Sequence, residues 1–243
     1  MRQVKTLGIV VWMVCSFFST NHTLAQSGNS FKHLSKKEQS IIAIASTAGM
    51  GHLSELKTKL HAGLDAGLTI NEIKEIMVHL YAYCGFPRSI RGLQTLMEVL
   101  DERKAKGIED EWGADASPIS DERSKYDRGK ANLEELIGRP LNEPQSAYAA
   151  FAPTIEVFLK EHLFADIFDR DVLTFADREL VSISVISAIG GAEPMLKSHL
   201  AICLNLGFSH QQLNEFLSVI KSTVGKKEAK AAQLVLNEVL SSR

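Results

Sequence analysis

The stretch LHAGLDAGLTINEIKEIMVHLYAYCG, residues 60–85, has a second version at residues 200–225, which read LAICLNLGFSHQQLNEFLSVIKSTVG. A shift of 140 positions aligns residues of matching type in the two versions: Gly67 with Gly207, Thr69 with Ser209, Ile73 with Leu213, and Gly85 with Gly225. Self-similarity at a fixed shift is typical of repeated structural units. The sequence therefore predicts two copies of one unit in tandem.

Both versions have the pattern of helices. Thr69 and Glu72 form a capping-box pair at the start of a helix, and Ser209 with Gln212 repeats that pair. After Thr69, apolar residues recur at helical spacing: Ile73, Ile76, Met77 and Leu80. The apolar segments EQSIIAIASTAG and RELVSISVISAIGG precede the two versions, and their length favours buried helices over strands. No convincing period-two strand pattern occurs, so we predict an all-α fold.

The rest of the chain fits around the two copies. Residues 106–120 are polar and contain glycine and proline, which indicates a linker. We expect the first unit at residues 31–105 and the second at residues 121–243. The second unit is longer because RSKYDRGKANLEELIG predicts a helix that ends at Gly138, and AAFAPTIEVFLKEHLFADIFDR predicts one further amphipathic helix.

The N-terminus has the features of a secretory signal peptide. Arg2 and Lys5 precede an apolar run at residues 7–18, and the small residues Thr23 and Ala25 follow it. The run is too short to span a bilayer, which takes about 20 residues, so we expect no stable membrane anchor. We predict a signal peptide at residues 1–25, cleavage after Ala25, and export to the periplasm if the source is Gram-negative.

Composition excludes several classes of protein. The chain has 27 basic and 29 acidic residues, a formal net charge of −2, and loss of Arg2 and Lys5 with the signal peptide leaves 25 and 29, or −4. A nucleic-acid surface would need a clustered excess of Lys and Arg, which the sequence lacks. Of three cysteines, only Cys84 and Cys203 follow the signal peptide, and no C-x-x-C pair exists for a metal or redox site.

The first repeat resembles the carboxymuconolactone decarboxylase family of the alkylhydroperoxidase D-like superfamily. The resemblance rests on Glu55–Leu56 and on GLDAGLTINEIKEIMVHLYAYCGFP at residues 63–87. The second repeat is similar in order and spacing, through YDRG at 126–129, LFADIFDRDVLTFADREL at 163–180, and His199 eight residues before Gly207. The resemblance implies duplicated helical units, a small carboxylate or lactone as substrate, and association into homo-oligomers, with a trimer favoured.

Each repeat lacks polar residues that the other retains. The family histidine before the glycine is His199 in the second repeat, where the first repeat has Lys59. Conversely, His79 and Tyr83 of the first repeat align with Val219 and Thr223. A site shared between the repeats, or between subunits, would reunite the complete set.

Decarboxylation of a lactone acid needs donors for the developing oxyanion, an acid that protonates carbon, and cations that hold the carboxylates. His79 and Tyr83 stand four apart and so share a helical face, where they could supply acid and donor. The resemblance adds Glu179 and His199 as their counterparts in the second repeat. Candidate substrate-binding residues are Arg88, Arg91 and, from the family motif, Glu55. This chemistry requires no metal or organic cofactor, and the sequence has no motif for one.

Two other functions remain open. In the peroxidase branch of the superfamily a C-x-x-C pair precedes the histidine, but Ala192 and Met195 occupy those positions here. The missing cysteine pair makes thiol peroxidase activity the second choice after decarboxylation. Loss of polar residues in each repeat also fits a non-catalytic binding or assembly protein, in which His79 and Tyr83 only pack in the core. Export favours another small acid or lactone over carboxymuconolactone itself, because the breakdown of aromatic acids is cytoplasmic.

Overall fold

A computed structural model describes residues 33–141 and 146–242. Every regular element within these ranges is a helix, as the sequence predicts. Among the described helices, none combines the length and the apolarity that crossing a bilayer requires. The predicted signal peptide lies outside the described residues. The described residues form one compact unit, in which the two repeats share a core.

The helices repeat in the same order. The first repeat has three: α1 (Lys36–Met50), α2 (Leu53–Asp65) and α3 (Ile70–Ala105). An insertion follows, with α4 (Lys125–Ile137), α5 (Ala147–Phe151), α6 (Pro153–Phe158) and a π-helix (Leu159–Ile167). The second repeat has four: α7 (Phe175–Ile189), α8 (Glu193–Asn205), α9 (His210–Thr223) and α10 (Lys226–Ser241). The starts of α1, α2 and α3 precede those of α7, α8 and α9 by 139, 140 and 140 residues, which confirms the duplication.

The long helix α3 corresponds to two helices of the second repeat. Gly85 interrupts it with φ 80° and ψ 163°, a backbone conformation that is essentially restricted to glycine. The half before Gly85 matches α9, and the half after it matches α10. The kink therefore gives both repeats the same four-helix arrangement.

Capping residues fix where the helices begin. The two predicted capping boxes are present at Thr69–Glu72 and Ser209–Gln212. Two more begin the central helices, Ser35–Glu38 at α1 and Thr174–Asp177 at α7. Each box satisfies backbone N–H groups that the first helical turn leaves without a partner.

Helices α1 and α7 form the middle of the core. Both are buried along most of their length, and they pack against each other closely enough that a Cβ on Gly49 would lie 3.3 Å from Val185 Cγ1. Ser46, Thr47, Ser182 and Ser184 donate to carbonyls one turn earlier, as Ser46 does to Ile42 at 2.7 Å. The helices can therefore carry these hydroxyl groups in an apolar environment, because the groups are hydrogen-bonded. The buried hydroxyl of Ser187 is the exception, with no hydrogen-bond partner among the described residues.

The insertion differs from the single helix that the sequence predicted between residues 149 and 170. Pro153 has no N–H and pushes the preceding residue out of the helical region, so Ala152 has φ −131° and ψ 75°. A new helix then begins with Pro153 in its first turn. The predicted helix ending at Gly138 is confirmed as α4. It lies against the π-helix so closely that a Cβ on Gly129 would lie 1.8 Å from the Lys160 carbonyl oxygen.

The irregular segment after α3 is held against the first repeat. The side-chain amide of Asn71 donates to the carbonyls of Gly113 and Ala114, both at 3.2 Å. Farther along α3, Arg103 binds Asp110 at 2.9 Å. The segment that the sequence marks as a linker is thus anchored at both ends of α3.

Candidate active site

Ser182 joins the polar residues of the two repeats. Its hydroxyl lies on α7, 2.9 Å from His79 Nε2 and 2.8 Å from the Tyr83 hydroxyl on α3. His79 and Tyr83 face the same way because they are four residues apart on one helix. One hydroxyl of the second repeat therefore connects both first-repeat candidates.

The second nitrogen of His79 faces a guanidinium. Arg178 Nη1 lies 3.4 Å from His79 Nδ1. Because arginine can only donate, Nδ1 acts as the acceptor and the ring proton resides on Nε2, which donates to Ser182. His79 is fully buried, and burial, followed by the charge of Arg178, lowers its pKa well below 6.5. The ring is therefore neutral at physiological pH.

Arg178 is held by a buried ionic network. Its side chain is fully buried, and Nη2 lies 3.3 Å from Glu75 Oε2 and donates to the Arg170 carbonyl at 2.5 Å. Arg170 binds the same carboxylate through Nε, at 2.9 Å. Desolvation lowers the pKa of Arg178, and the carboxylate of Glu75 opposes that effect. The network fixes the guanidinium beneath His79.

Glu179 and His199 form a second pair beside the first. His199 Nδ1 donates to Glu179 Oε2 at 2.7 Å, so Nε2 is the ring nitrogen left for other chemistry. Glu179 is fully buried, and its Oε1 has no hydrogen-bond partner among the described residues. The rings of Tyr83 and His199 meet edge to face, with centroids 5.7 Å apart. The four catalytic candidates are thus brought together within one chain.

An open cleft of about 550 Å³ lies beside this cluster. Its walls come from both repeats: Gly49, Met50, His52, Tyr83, Cys84, Arg88, Ala188 and Ile189. Of the cluster, Tyr83 is the member that lines this cleft, and His199 lies one side chain behind it. Burial raises the pKa of Tyr83, so its hydroxyl is protonated at physiological pH and can donate.

Arg88 is the positive charge in the cleft. It follows the kink at Gly85 and lies across the end of α1, where a Cβ on Gly51 would come within 1.5 Å of its Nη1. Glycine at position 51, with φ 73°, therefore makes room for the guanidinium. Arg88 is exposed and makes no ion pair with a described carboxylate, so it is available to an anion.

The other two predicted substrate-binding residues lie outside this cleft. Arg91 is exposed and hydrogen-bonds Gln94 on its own helix. Glu55 is exposed in the first turn of α2. The structure therefore places Arg88, but neither Arg91 nor Glu55, among the residues that line the cleft.

Both remaining cysteines are protonated thiols. Cys84 lines the cleft, and burial raises its pKa to about 11, although the charge of Arg88 opposes this. Cys203 is fully buried, and desolvation raises its pKa well above 9.0. Neither environment favours the thiolate that thiol chemistry requires.

Sequence reasoning missed four residues of this region: Glu75, Arg178, Ser182 and His52. The first three are polar groups on otherwise buried helices, and RELVS at 178–182 contains a charged pair at the start of an apolar run, which was an available signal. His52 carried no such signal, because it lines the cleft only through the path of the chain between α1 and α2. Within the described ranges, no group of His, Cys, Asp and Glu could hold a metal ion.

Comparisons with known proteins agree with a duplicated unit. The Carboxymuconolactone decarboxylase family profile matches residues 19–97 and 153–238. An uncharacterised protein of Methanocaldococcus jannaschii is 26% identical over 99 residues, which cover 41% of this chain and 92% of that protein. A solved structure from Burkholderia xenovorans, provisionally assigned as a gamma-carboxymuconolactone decarboxylase subunit, is 23% identical, with a TM-score of 0.48. The match covers 87% of this chain and 81% of that one.

Proposed function

The chain belongs to the carboxymuconolactone decarboxylase family, and from that premise we propose that it is a cofactor-free enzyme for small carboxylic acids or lactones. Decarboxylation, or related acid–base chemistry, takes place in the cleft at Tyr83. The observation that carries this proposal is the convergence beside one cleft of Tyr83 and Arg88, from the two halves of α3, with the Glu179–His199 pair, from α7 and α8.

Each residue has a role that its surroundings support. Arg88 holds a substrate carboxylate through its exposed guanidinium. When the bond to the departing carboxylate breaks, carbon dioxide leaves and the electron pair moves into the neighbouring carbonyl. The Tyr83 hydroxyl donates a hydrogen bond to the resulting oxyanion. His199 enters this step with a second proton on Nε2, while its Nδ1–H stays bonded to Glu179. The Nε2 proton is transferred to carbon, and Nε2 regains a proton from water.

His79 takes a different role in this proposal from the proton donor suggested by the sequence. It is fully buried, and its one ring proton is engaged with Ser182. A residue in that position cannot readily exchange protons with a ligand. His79 and Ser182 act instead as positioning residues that hold the Tyr83 hydroxyl at the wall of the cleft.

The alternative chemistry is disfavoured by the state of the thiols. A thiol peroxidase needs a thiolate and a resolving partner. With a pKa of about 11, only about one Cys84 in 10⁴ is ionised at neutral pH. Cys203 is fully buried, so the described residues offer no accessible resolving thiol for Cys84.

The proposal also includes location and assembly. The basic start, apolar run and small residues before Ala25 support export with cleavage at that residue. Membership of the family supports association into homo-oligomers, and we propose a trimer. Sequencing of the N-terminus of the exported protein tests the first point, and a chain that retains Met1 in the cytoplasm would contradict it.

A matched pair of tyrosine variants tests the enzyme. Lactone acids and hydroperoxides are assayed as a panel, by carbon dioxide release and by peroxide loss. Tyr83→Phe removes the donor and should lower turnover of the active lactone acid about 10²-fold. Tyr81→Phe makes the same change two residues away, where the ring stacks on Phe86, and should leave turnover unchanged.

Other outcomes would redirect or refute the proposal. His199→Gln should lower turnover about 10²–10⁴-fold, the usual range for a lost proton donor. An equal loss in His52→Gln, with His199→Gln active, would assign the proton transfer to His52 instead. Peroxide turnover that disappears in Cys84→Ser would establish the thiol chemistry, and absence of turnover across the panel would favour a binding protein.

A further inference from the structure

The duplication creates a second position equivalent to the candidate active site. The active cluster lies between α7, α8 and the first half of α3, whose counterparts are α1, α2 and α9. Between those three helices lies another open cleft, of about 300 Å³. The internal symmetry that relates the helices therefore relates this cleft to the active cluster itself, and Thr223 is the residue that corresponds to Tyr83 at the wall of the first cleft.

Every counterpart of the active cluster lines this second cleft. The shift of 139 or 140 residues pairs them as follows: Ser40 with Glu179, Ala43 with Ser182, Lys59 with His199, Val219 with His79, and Thr223 with Tyr83. No carboxylate–imidazole pair and no phenol remain among these described residues. The second cleft thus keeps the location of the site but lacks the groups for proton transfer.

The second cleft is positively charged. Lys36 and Lys59 line it, and its remaining wall has no Asp or Glu among the described residues: Gln39, Ser40, Ala43, Ala62, Ala66, Val219, Ser222 and Thr223. Neither lysine forms an ion pair with a carboxylate in the part of the chain that the structure describes. Lys59 is half-buried, so its charge acts where water is partly excluded and attraction for an anion is stronger.

We propose that this second cleft binds a small carboxylate without converting it. Two ammonium groups can pair with the carboxylate oxygens, and the Thr223 hydroxyl can donate a further hydrogen bond. The hydroxyl groups of Ser40 and Ser222 already donate to the carbonyls of Lys36 and Val219. The volume suits a molecule of a few carbon atoms. Lys59 places an ammonium group at the position that the proton-transfer residue His199 occupies in the second repeat.

Amide spectra of the isotope-labelled protein, titrated with succinate, test the proposal. Binding should shift the signals of residues 36–43, 59–66 and 219–223. Lys59→Gln should weaken that binding about tenfold, which corresponds to the loss of one charge-assisted contact. Lys36→Gln is a second variant on the exposed rim. Lys230→Gln, an exposed lysine on α10, is the matched control and should leave the affinity unchanged.

The result of the succinate titration does not depend on whether the proposed enzyme activity is correct. Tyr83→Phe should leave succinate binding at the second cleft unchanged, whatever it does to turnover. Succinate that shifts only the signals around Tyr83 and Arg88 would place the carboxylate in the other cleft and overturn this proposal. Equal affinities of Lys59→Gln and Lys230→Gln for succinate would overturn it as well.

Discussion

At the scale of single residues, the environment of His79 makes stability depend on pH. The native chain keeps this ring neutral, with its pKa well below 6.5, because burial and Arg178 oppose the cation. The unfolded chain protonates the same ring below about pH 6.5. The unfolded state then binds more protons, so this contribution is constant above that pH and is lost as the pH falls, by up to about 1.4 kcal/mol per unit.

The variant His79→Gln should show this effect in urea unfolding between about pH 5 and pH 7.5. At the upper end it should be less stable by about 1–3 kcal/mol, because a buried polar partner is lost. The difference in stability between the variant and the wild type should shrink toward pH 5, because only the wild type loses stability when His79 is protonated in the unfolded state. His210→Gln, an exposed histidine, is the control. Parallel stability curves for wild type and His79→Gln would mean that His79 has the same pKa in the native and unfolded states, which would contradict the lowered native pKa.

Cys84 offers a second residue-level test. Its pKa of about 11 predicts slow alkylation at neutral pH, with a rate that rises about tenfold for each pH unit up to about 11. Iodoacetamide labelling followed by peptide mass analysis measures this rate, and Cys84→Ser identifies the signal. Rapid labelling at neutral pH, or formation of a sulfenic acid with dilute peroxide, would contradict the expected protonated thiol.

At the scale of helices, the kink in α3 depends on Gly85 and not on the proline after it. Gly85 has φ 80° and ψ 163°, whereas Pro87 lies in the first turn of the following helical half, where its missing N–H has no helical partner to lose. Gly85→Ala should therefore lower the free energy of unfolding by about 1–3 kcal/mol.

The companion variant Pro87→Ala should change stability by less than about 1 kcal/mol. Urea unfolding of both variants, with helix content followed by circular dichroism, distinguishes the two causes. A large loss in Pro87→Ala with little change in Gly85→Ala would assign the kink to the proline.

Local signals explain which helices the sequence could predict. The starts of α3 and α9 follow from Thr69 and Ser209, whose side chains reach backbone groups only three residues away. The π-helix could not be predicted in this way. It packs on α4 where Gly129 permits close approach, and that contact joins residues 31 positions apart. Pro153 is a local signal for the break between α5 and α6, and the apolar periodicity across residues 149–170 did not outweigh it.

At the scale of the whole molecule, the site depends on contacts between repeats. The sequence identified His79, Tyr83, Glu179 and His199 as complementary, since each repeat lacks what the other retains. It could not identify Ser182 as the link, because the two hydrogen bonds join residues about 100 positions apart. Nor could the sequence distinguish Arg88, which lines the cleft, from Arg91, which does not, because this difference follows from the turn at Gly85.

One apolar surface of the molecule favours association of chains. Large side chains on α5 and α6 are exposed, among them Tyr148, Phe151, Ile155 and Phe158. Phe151 is 92% exposed. Monomeric proteins rarely leave large apolar patches in water, and burying these side chains against a second copy of the chain would stabilise an oligomer.

We therefore expect a homo-oligomer, the trimer of the proposal above, in sedimentation analysis at micromolar concentration. Phe151→Asp should shift it toward monomers, because a charge within the contact would lose its water without a partner. Leu234→Asp makes a comparable change at a side chain that is 59% exposed on α10 and should leave the assembly intact. Helix content should stay the same in both variants, since neither side chain packs in the core. A monomeric wild type would exclude the oligomer, and dissociation by Leu234→Asp alone would place the contact on α10 instead of α5 and α6.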